Sequence, residues 1–230
     1  MRVDRAEFAV VVAAAMRTRG IGRQNAMPWR LAPDMAFFKQ LTRSTIDAEK
    51  RNAVVMGRKT WTSIPGKMRP LADRLNVVIS ANPNARAEFD IPDAVLVVSS
   101  LDEALATLCA NEHSEALESV YVIGGASIYE EALKLPQLCT RVHLTEVSPA
   151  PPAPLQESNG ATAAAAAEAA VKPDEAADHF GCDTFFPALD DAAWRLDKAG
   201  PLKTDGKLSY RFLTYVPSSL GAAPAASAAS

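Results

Sequence analysis

Cysteine is scarce in this chain. Cys109, Cys139 and Cys182 are the only three among 230 residues. They are odd in number, widely spaced, and accompanied by neither a CxxC nor paired histidines, which argues against a disulfide framework and a zinc site and leaves free thiols. There is no Asn-x-Ser/Thr sequon, in keeping with a cytoplasmic protein. GxSxG, HExxH and Walker motifs are all missing, and His113, His143 and His179 stand in unrelated contexts. Nucleophilic and metal mechanisms therefore have no visible equipment, and no metal is expected. Nor is there a surplus of basic charge: 24 Lys and Arg stand against 27 Asp and Glu, for a net charge of −3. Nucleic acid and anionic membranes, which normally need a basic face, are not expected partners. Finally, the apolar run from Phe8 to Met16 is too short to cross a bilayer. Asp4 and Glu7 spoil the basic segment that a signal peptide would need, so the opening reads as a buried first strand.

What is present is a hydrophobic fraction of 48% in a chain long enough for one globular domain with something added. Strand-like runs (AEFAVVVAAA, NAVVMG, LNVVIS, AVLVVS, SVYVIGG, RVHLTEV) alternate with helical patterns (PDMAFFKQLT, LDEALATLC, SIYEEALK). Their apolarity is continuous rather than alternating, which predicts a largely parallel sheet covered on both faces. Ser100 with Glu103 three residues on forms a capping box for the helix before Ala110. From 148 to 179 the only large apolar residues are Leu155 and Val171, amid Pro and poly-Ala. Such a stretch cannot bury enough to offset its ordering entropy, so it reads as a flexible insertion with a transient helix around Ala163 to Ala170. Strand sequence then returns. AAWRLDKAG and KLSYRFLTYV, with turn residues Thr204, Asp205 and Gly206, predict a C-terminal antiparallel pair. The domain thus spans 7–216, and 217–230 is a tail or linker.

Three features bear on chemistry. Asp34 follows Pro33 at a helix start, and Phe37, Phe38 and Leu41 lie three, four and seven residues on. The carboxylate therefore shares the apolar face, where a charge needs a partner or a ligand, although a first-turn Asp facing water is the common alternative. Gly124 and Gly125 end an apolar strand where a helix begins, a turn at which a phosphate can approach backbone N–H groups. Paired glycines also serve as plain turns, and the GxGxxG spacing is lacking. NAVVMGRKTW repeats the geometry, with Gly57 followed by Arg58, Lys59 and Thr60. Two phosphate-suited turns in one sheet suggest a dinucleotide.

Taken together, GIG (Gly20 to Gly22), MPW (Met27 to Trp29), PDMAFF, VVMGRKTWTSIP, RPL, RLNVVIS, VIGGASIY, HLTEV and DTFFP are similar to dihydrofolate reductases, the eukaryotic branch above all, through KMRPLADRLNVV. The resemblance covers roughly Phe8 to Val147 and Gly181 to Val216. It implies an α/β three-layer fold, with a central, mostly parallel eight-stranded sheet, an antiparallel C-terminal strand and helices on both faces. It further implies reduction of dihydrofolate to tetrahydrofolate for one-carbon metabolism, by hydride transfer from nicotinamide C4 to pterin C6, with NADPH as cofactor. In that reading Asp34 hydrogen-bonds the pterin N3 and 2-amino group, Thr145 supports it, and Trp29 is linked to it through water. Asp34 cannot reach N5, so that proton comes from water. Met27, Met35, Phe38, Ser63, Ile64, Leu71 and Tyr129 bound the substrate, and Arg74 forks onto its α-carboxylate. Val12 and Ile123 offer carbonyls at the far pterin edge.

On the cofactor side the resemblance places Ala14, Ile21, Gly22 and Asn25 around the nicotinamide. Gly57 belongs to the first phosphate turn, and Arg58, Lys59, Thr60, Ser80 and Ala81 lie along the adenosine half. Ile123, Gly124, Gly125, Ala126, Ser127, Ile128 and Tyr129 form the pyrophosphate turn and the helix behind it. Ala81 and Ser99 depart from the pattern, since basic residues often stand in both places, so NADPH preference would rest mainly on Arg58. The segment from Arg17 to Arg30 would be a closing loop hinged at Gly20 and Gly22. As an isolated domain the chain would be a monomer. Its tail could also be the stub of a linker to a thymidylate synthase domain. The rival readings are a pyrimidine reductase of riboflavin synthesis, which shares the sheet and NADPH but not the Asp beside an MPW loop, and a silent domain kept for binding.

Overall fold

The computed structural model describes residues 5–150 and 180–219. Its strands are β1 (Phe8–Ala15), β2 (Gly20–Gly22), β3 (Arg51–Gly57), β4 (Arg74–Ile79), β5 (Leu96–Val98), β6 (Leu117–Val122), β7 (Cys139–Pro149), β8 (Thr184–Phe185), β9 (Trp194–Ala199), β10 (Lys203–Asp205) and β11 (Leu208–Pro217). The helices are α1 (Ala32–Arg43), α2 (Arg58–Ser63), α3 (Ala85–Glu88), α4 (Leu101–Cys109), α5 (Asn111–Ser114) and α6 (Ala126–Leu133), with a 3-10 turn at Gly66–Met68. Among the described residues no helix is long and apolar enough to cross a membrane.

The main sheet runs β10-β11-β7-β1-β6-β3-β4-β5, and β9 also pairs with β11. The strands from β7 to β5 in that order are parallel, while β11 is antiparallel to β7. Nine strands occupy eight positions. β9 and β10 lie along the same β11, meeting its residues 213–217 and 208–210 respectively, and break where Gly200 N–H bonds the Phe212 carbonyl. Gly206 has φ +60°, as the first central position of a two-residue II′ hairpin turn requires, so the hairpin expected around Asp205 and Gly206 forms there.

Successive strand residues point to opposite faces. Val10, Val12, Ala14, Val55 and Val77 pack with Leu101, Leu105 and Leu108 of α4 and Ile128 and Tyr129 of α6. Ala9, Val11, Val54, Met56, Val78 and Ile123 pack with Trp61 of α2 and with Phe38 and Leu41 of α1. This makes the three layers expected. Trp61 is fully buried and donates its Nε1–H to the Phe89 carbonyl at 3.0 Å. Truncating it to Ala would cost about 3–5 kcal/mol.

Several sequence expectations change. β7 reaches Pro149, taking in Ser148 and Pro149 from the expected insertion, because Ser148 and Pro149 pair with Ser209 and Leu208 of the hairpin. Ala150 continues this edge, its N–H donating to the Lys207 carbonyl at 2.8 Å, while residues 151–179 of that insertion lie outside the described residues, as does the tail beyond 219. The capping box is only half realised: Ser100 Oγ accepts the Glu103 N–H, but the Glu103 carboxylate returns to Ser99 instead of Ser100. Gly20 and Gly22, the expected hinges of the loop, pair with Phe185 and Thr184 in a two-stranded sheet. The left-handed residues of the loop are Arg19, Gln24 and Asn25.

Candidate active site

Asp34 stands third in α1, after Ala32 and Pro33, and the N-cap is Leu31, which makes no side-chain cap bond. The carboxylate is not a cap. It is 6% exposed, and it is the only buried carboxylate among the described residues. Thr145 in β7, itself 2% exposed, hydrogen-bonds it through its side chain. Burial holds Asp34 above the usual carboxylate range, and the Thr145 bond draws it partly back. Tyr129 in α6 donates its hydroxyl to the Val11 carbonyl at 2.8 Å; burial and the Asp34 charge push its acidity constant up. Trp29 is buried, its ring meets Phe180 edge-on at 4.8 Å, and its Nε1 has no protein acceptor. A buried donor of that kind is normally satisfied by water or ligand.

Along α1, Phe38 packs with Ile64 and Leu71 on the α1/α2 side of the sheet. Met35 is 44% exposed and Met27 49%, the exposure expected of groups facing open space or a ligand instead of the core. Arg74 is held as a fork: Nη1 donates to Thr42 Oγ1 at 2.8 Å, Nε to the Ala72 carbonyl at 3.0 Å, and its guanidinium lies 6.0 Å from the Phe38 ring centre. Ser63 is exposed, its hydroxyl donating back to the Thr60 carbonyl at 2.7 Å. The Val12 side chain is core, while Ile123, just after β6, places its N–H on the Val55 carbonyl.

The two glycine turns lie side by side, linked by Gly57 N–H to the Gly124 carbonyl at 2.7 Å. Gly124 has φ +112°, and a Cβ there would come within 3.1 Å of the Tyr129 ring, so only glycine fits. The Gly124–Gly125 peptide is cis. Gly125 caps α6 without a side chain, leaving the N–H groups at Ala126, Ser127 and Ile128 without a side-chain acceptor. A Cβ at Gly125 would lie 3.4 Å from Thr60 Oγ1. Arg58 stacks on Phe89, 4.9 Å from its centre. Beside these turns a cavity of about 470 Å³ is lined by Asn25, Arg58, Lys59, Thr62, Asp183 and Thr184. Ala14 and Ile21 belong to the apolar wall. Farther out, Ser80 Oγ accepts the Asn82 N–H in a local turn, and Ala81 is exposed.

The structure therefore brings Asp34, Thr145, Tyr129 and Trp29 to one end of the parallel strands and sets the glycine turns beside them. That end of an open α/β sheet is where ligands bind. Four positioning residues were not singled out by sequence. Thr42 holds Arg74, and Phe180 braces Trp29. Asn76 ties both backbone groups of Leu71 and the Arg74 carbonyl. Asp183 accepts the Gln24 N–H at 2.7 Å, and its own N–H bonds the Gly22 carbonyl, so the DTFFP segment straps the loop. A polar Asn in the apolar run RLNVVI was a usable signal. Asp183 and Gln24 are 159 residues apart, and no local pattern joins them.

A family model described as dihydrofolate reductase matches residues 8–159. A bifunctional dihydrofolate reductase-thymidylate synthase of Daucus carota is 38% identical over 208 residues, covering 90% of this chain and 33% of the relative. A dihydrofolate reductase of Heliothis virescens is 37% identical over 209 residues, 89% of this chain and 95% of the relative. One of Drosophila melanogaster is 34% identical over 182 residues, 79% and 80% of the two chains. The chain spans about a third of the length of the bifunctional relatives it matches.

Proposed function

Because the chain belongs to the dihydrofolate reductase family, we propose that it reduces dihydrofolate to tetrahydrofolate with NADPH. The observation that carries this is Asp34, a lone buried carboxylate on an apolar helix face, hydrogen-bonded to Thr145 and set beside two glycine turns. The turns fit a dinucleotide: a Cβ at Gly124 would fill the cradle, and α6 leaves its first N–H groups uncapped. When bound, NADPH supplies the hydride, from nicotinamide C4 to pterin C6.

The chain's own residues then do the rest. Asp34 accepts two parallel N–H bonds from the planar pterin edge, an arrangement that orients the ring and favours its cationic form. Thr145 keeps the carboxylate aimed, and the Val12 and Ile123 carbonyls accept at the opposite edge. Asp34 does not reach N5; water delivers that proton, and exclusion of bulk solvent by the Trp29 loop makes N5 more basic. Phe38, Ile64 and Leu71 enclose the apolar body, and the Arg74 fork receives the terminal carboxylate. Arg58 and Lys59 supply countercharge for the dinucleotide phosphates. Purified protein mixed with NADPH should oxidise it only when dihydrofolate is added. Folded protein that consumes no NADPH under those conditions, or consumes it without folate, sinks the reading.

A further inference from the structure

The two ends of the site are built by different elements. Asp34 and Thr145 belong to α1 and β7, whereas Leu71 and Arg74 flank a short connection between the 3-10 turn and β4. Ala72 and Asp73 in that connection are exposed, and Asp73 has φ +62°. A segment of this kind has little apolar burial of its own to hold its shape. Yet its parts must act together. Leu71 belongs to the apolar wall with Phe38 and Ile64, and the Ala72 carbonyl accepts the Arg74 Nε–H.

What holds the connection from beneath is Asn76, third in β4 and 3% exposed. Its Oδ1 accepts the Leu71 N–H at 2.9 Å, and its Nδ2 donates to the Leu71 carbonyl at 2.9 Å and to the Arg74 carbonyl at 3.0 Å. The amide thus meets Leu71 as a neighbouring strand would, through both backbone groups. An apolar side chain at this position would leave both of them without that partner. With Leu71 fixed, the Ala72 carbonyl beside it is fixed too. Arg74 commits Nε to that carbonyl and one Nη1 hydrogen to Thr42 Oγ1 at 2.8 Å, which leaves three of its five donors for a ligand. All three Asn76 bonds serve this end of the site, and none goes to Asp34, Thr145 or the glycine turns.

We propose that Asn76 is the positioning residue that makes this site selective for a substrate with a carboxylate-bearing tail over a bare pterin: one buried amide aims both the Leu71 wall and the Arg74 fork, while the pterin end is built without it. The proposal rests on the reductase reading above and assigns recognition of the tail to a side chain that does not touch it.

Initial-rate kinetics with NADPH tests this on the wild type, Asn76→Ala and Asn76→Ser. Dihydrofolate is the substrate, and 6-methyl-7,8-dihydropterin, which keeps the ring and lacks the tail, is the competitor. Asn76→Ala should raise KM for dihydrofolate about ten-fold with kcat within about two-fold, and leave the inhibition constant of the bare pterin within about two-fold. Asn76→Ser keeps one hydrogen-bonding group and should fall between. A residue needed only for stability would weaken both ligands alike, and thermal unfolding of each variant registers that loss. In an Arg74→Leu background the Asn76→Ala effect on dihydrofolate should shrink to about three-fold, because the fork it aims is gone. Amide exchange of the wild type needs no variant: the Leu71 N–H should be protected to the level of the β4 amides. An unprotected Leu71 amide, equal weakening of the two ligands, or the full ten-fold effect in the Arg74→Leu background overturns the proposal. A folded wild type that does not reduce dihydrofolate overturns the functional reading beneath it.

Discussion

Asp34→Asn separates a buried ligand-binding group from a helix-start acid, because the two roles predict opposite signs for stability. The carboxylate is buried with Thr145 as its side-chain partner, and burial raises its acidity constant above the ordinary carboxylate value. A raised carboxylate constant means that the native state holds the proton more tightly than the unfolded chain does. The penalty is absent below the unfolded value, grows as pH rises through it to the raised native value, and is complete above that. An amide of the same shape escapes it. We expect a gain of about 1 kcal/mol near neutrality, after allowing for a weaker Thr145 bond. For a domain of this size that is an increase in Tm of about 2–4 °C, and it should vanish in acid. Activity should move the other way. An amide presents one acceptor and one donor to two substrate N–H groups, so one charge-assisted bond is lost and another weakened. The loss is about 3–5 kcal/mol, or two to four orders of magnitude in kcat/KM. Dinucleotide affinity should hardly change. Thermal unfolding across pH, steady-state kinetics with dihydrofolate and a dinucleotide titration read all three. A mutant that loses stability near neutrality while keeping its activity refutes the reasoning, since that is how a helix-start acid would behave.

Three further outcomes follow from other parts of the site. Arg74→Lys keeps the charge but not the planar fork held by Thr42 and Ala72; KM for dihydrofolate should rise about ten-fold with kcat nearly unchanged, which initial-rate kinetics checks. Gly124→Ala puts a methyl 3.1 Å from the Tyr129 ring at φ +112°; denaturant unfolding should show a loss of about 2–3 kcal/mol, and a titration should show dinucleotide binding lost with it. His143 is held neutral by burial and by the nearby Arg141, with its pKa lowered to about 4. Because its unfolded value is 6.5, its contribution is full above that value, is lost as pH falls from 6.5 towards 4, and changes little below. His143→Gln should therefore flatten the stability profile in that window, by roughly 2 kcal/mol across it, as acid-limb unfolding curves would show.

Much of the architecture was legible along the chain. Continuous apolar strands alternating with amphipathic helices specify a parallel sheet covered on both faces, because hydrophobic period and turn residues are local properties. Asp34 was legible for the same reason: a carboxylate in register with Phe37, Phe38 and Leu41 is a conflict visible within eight residues. The paired glycines also announced a strand-to-helix turn. What could not be read was anything that depends on which distant segments meet. Only the sheet order places Gly57 against Gly124, and only the closed fold lets Asp183 strap Gln24, Phe180 brace Trp29 and Thr42 orient Arg74. The return bond of Glu103 went to Ser99, where local rules alone favoured Ser100, because the extended entry into α4 presents both Ser99 donors to the carboxylate. Sequence by itself determined the elements and the charge that needed a partner. Tertiary structure decided who the partners are, since the cost of burying a polar group is met only by donors and acceptors that folding brings within hydrogen-bond reach.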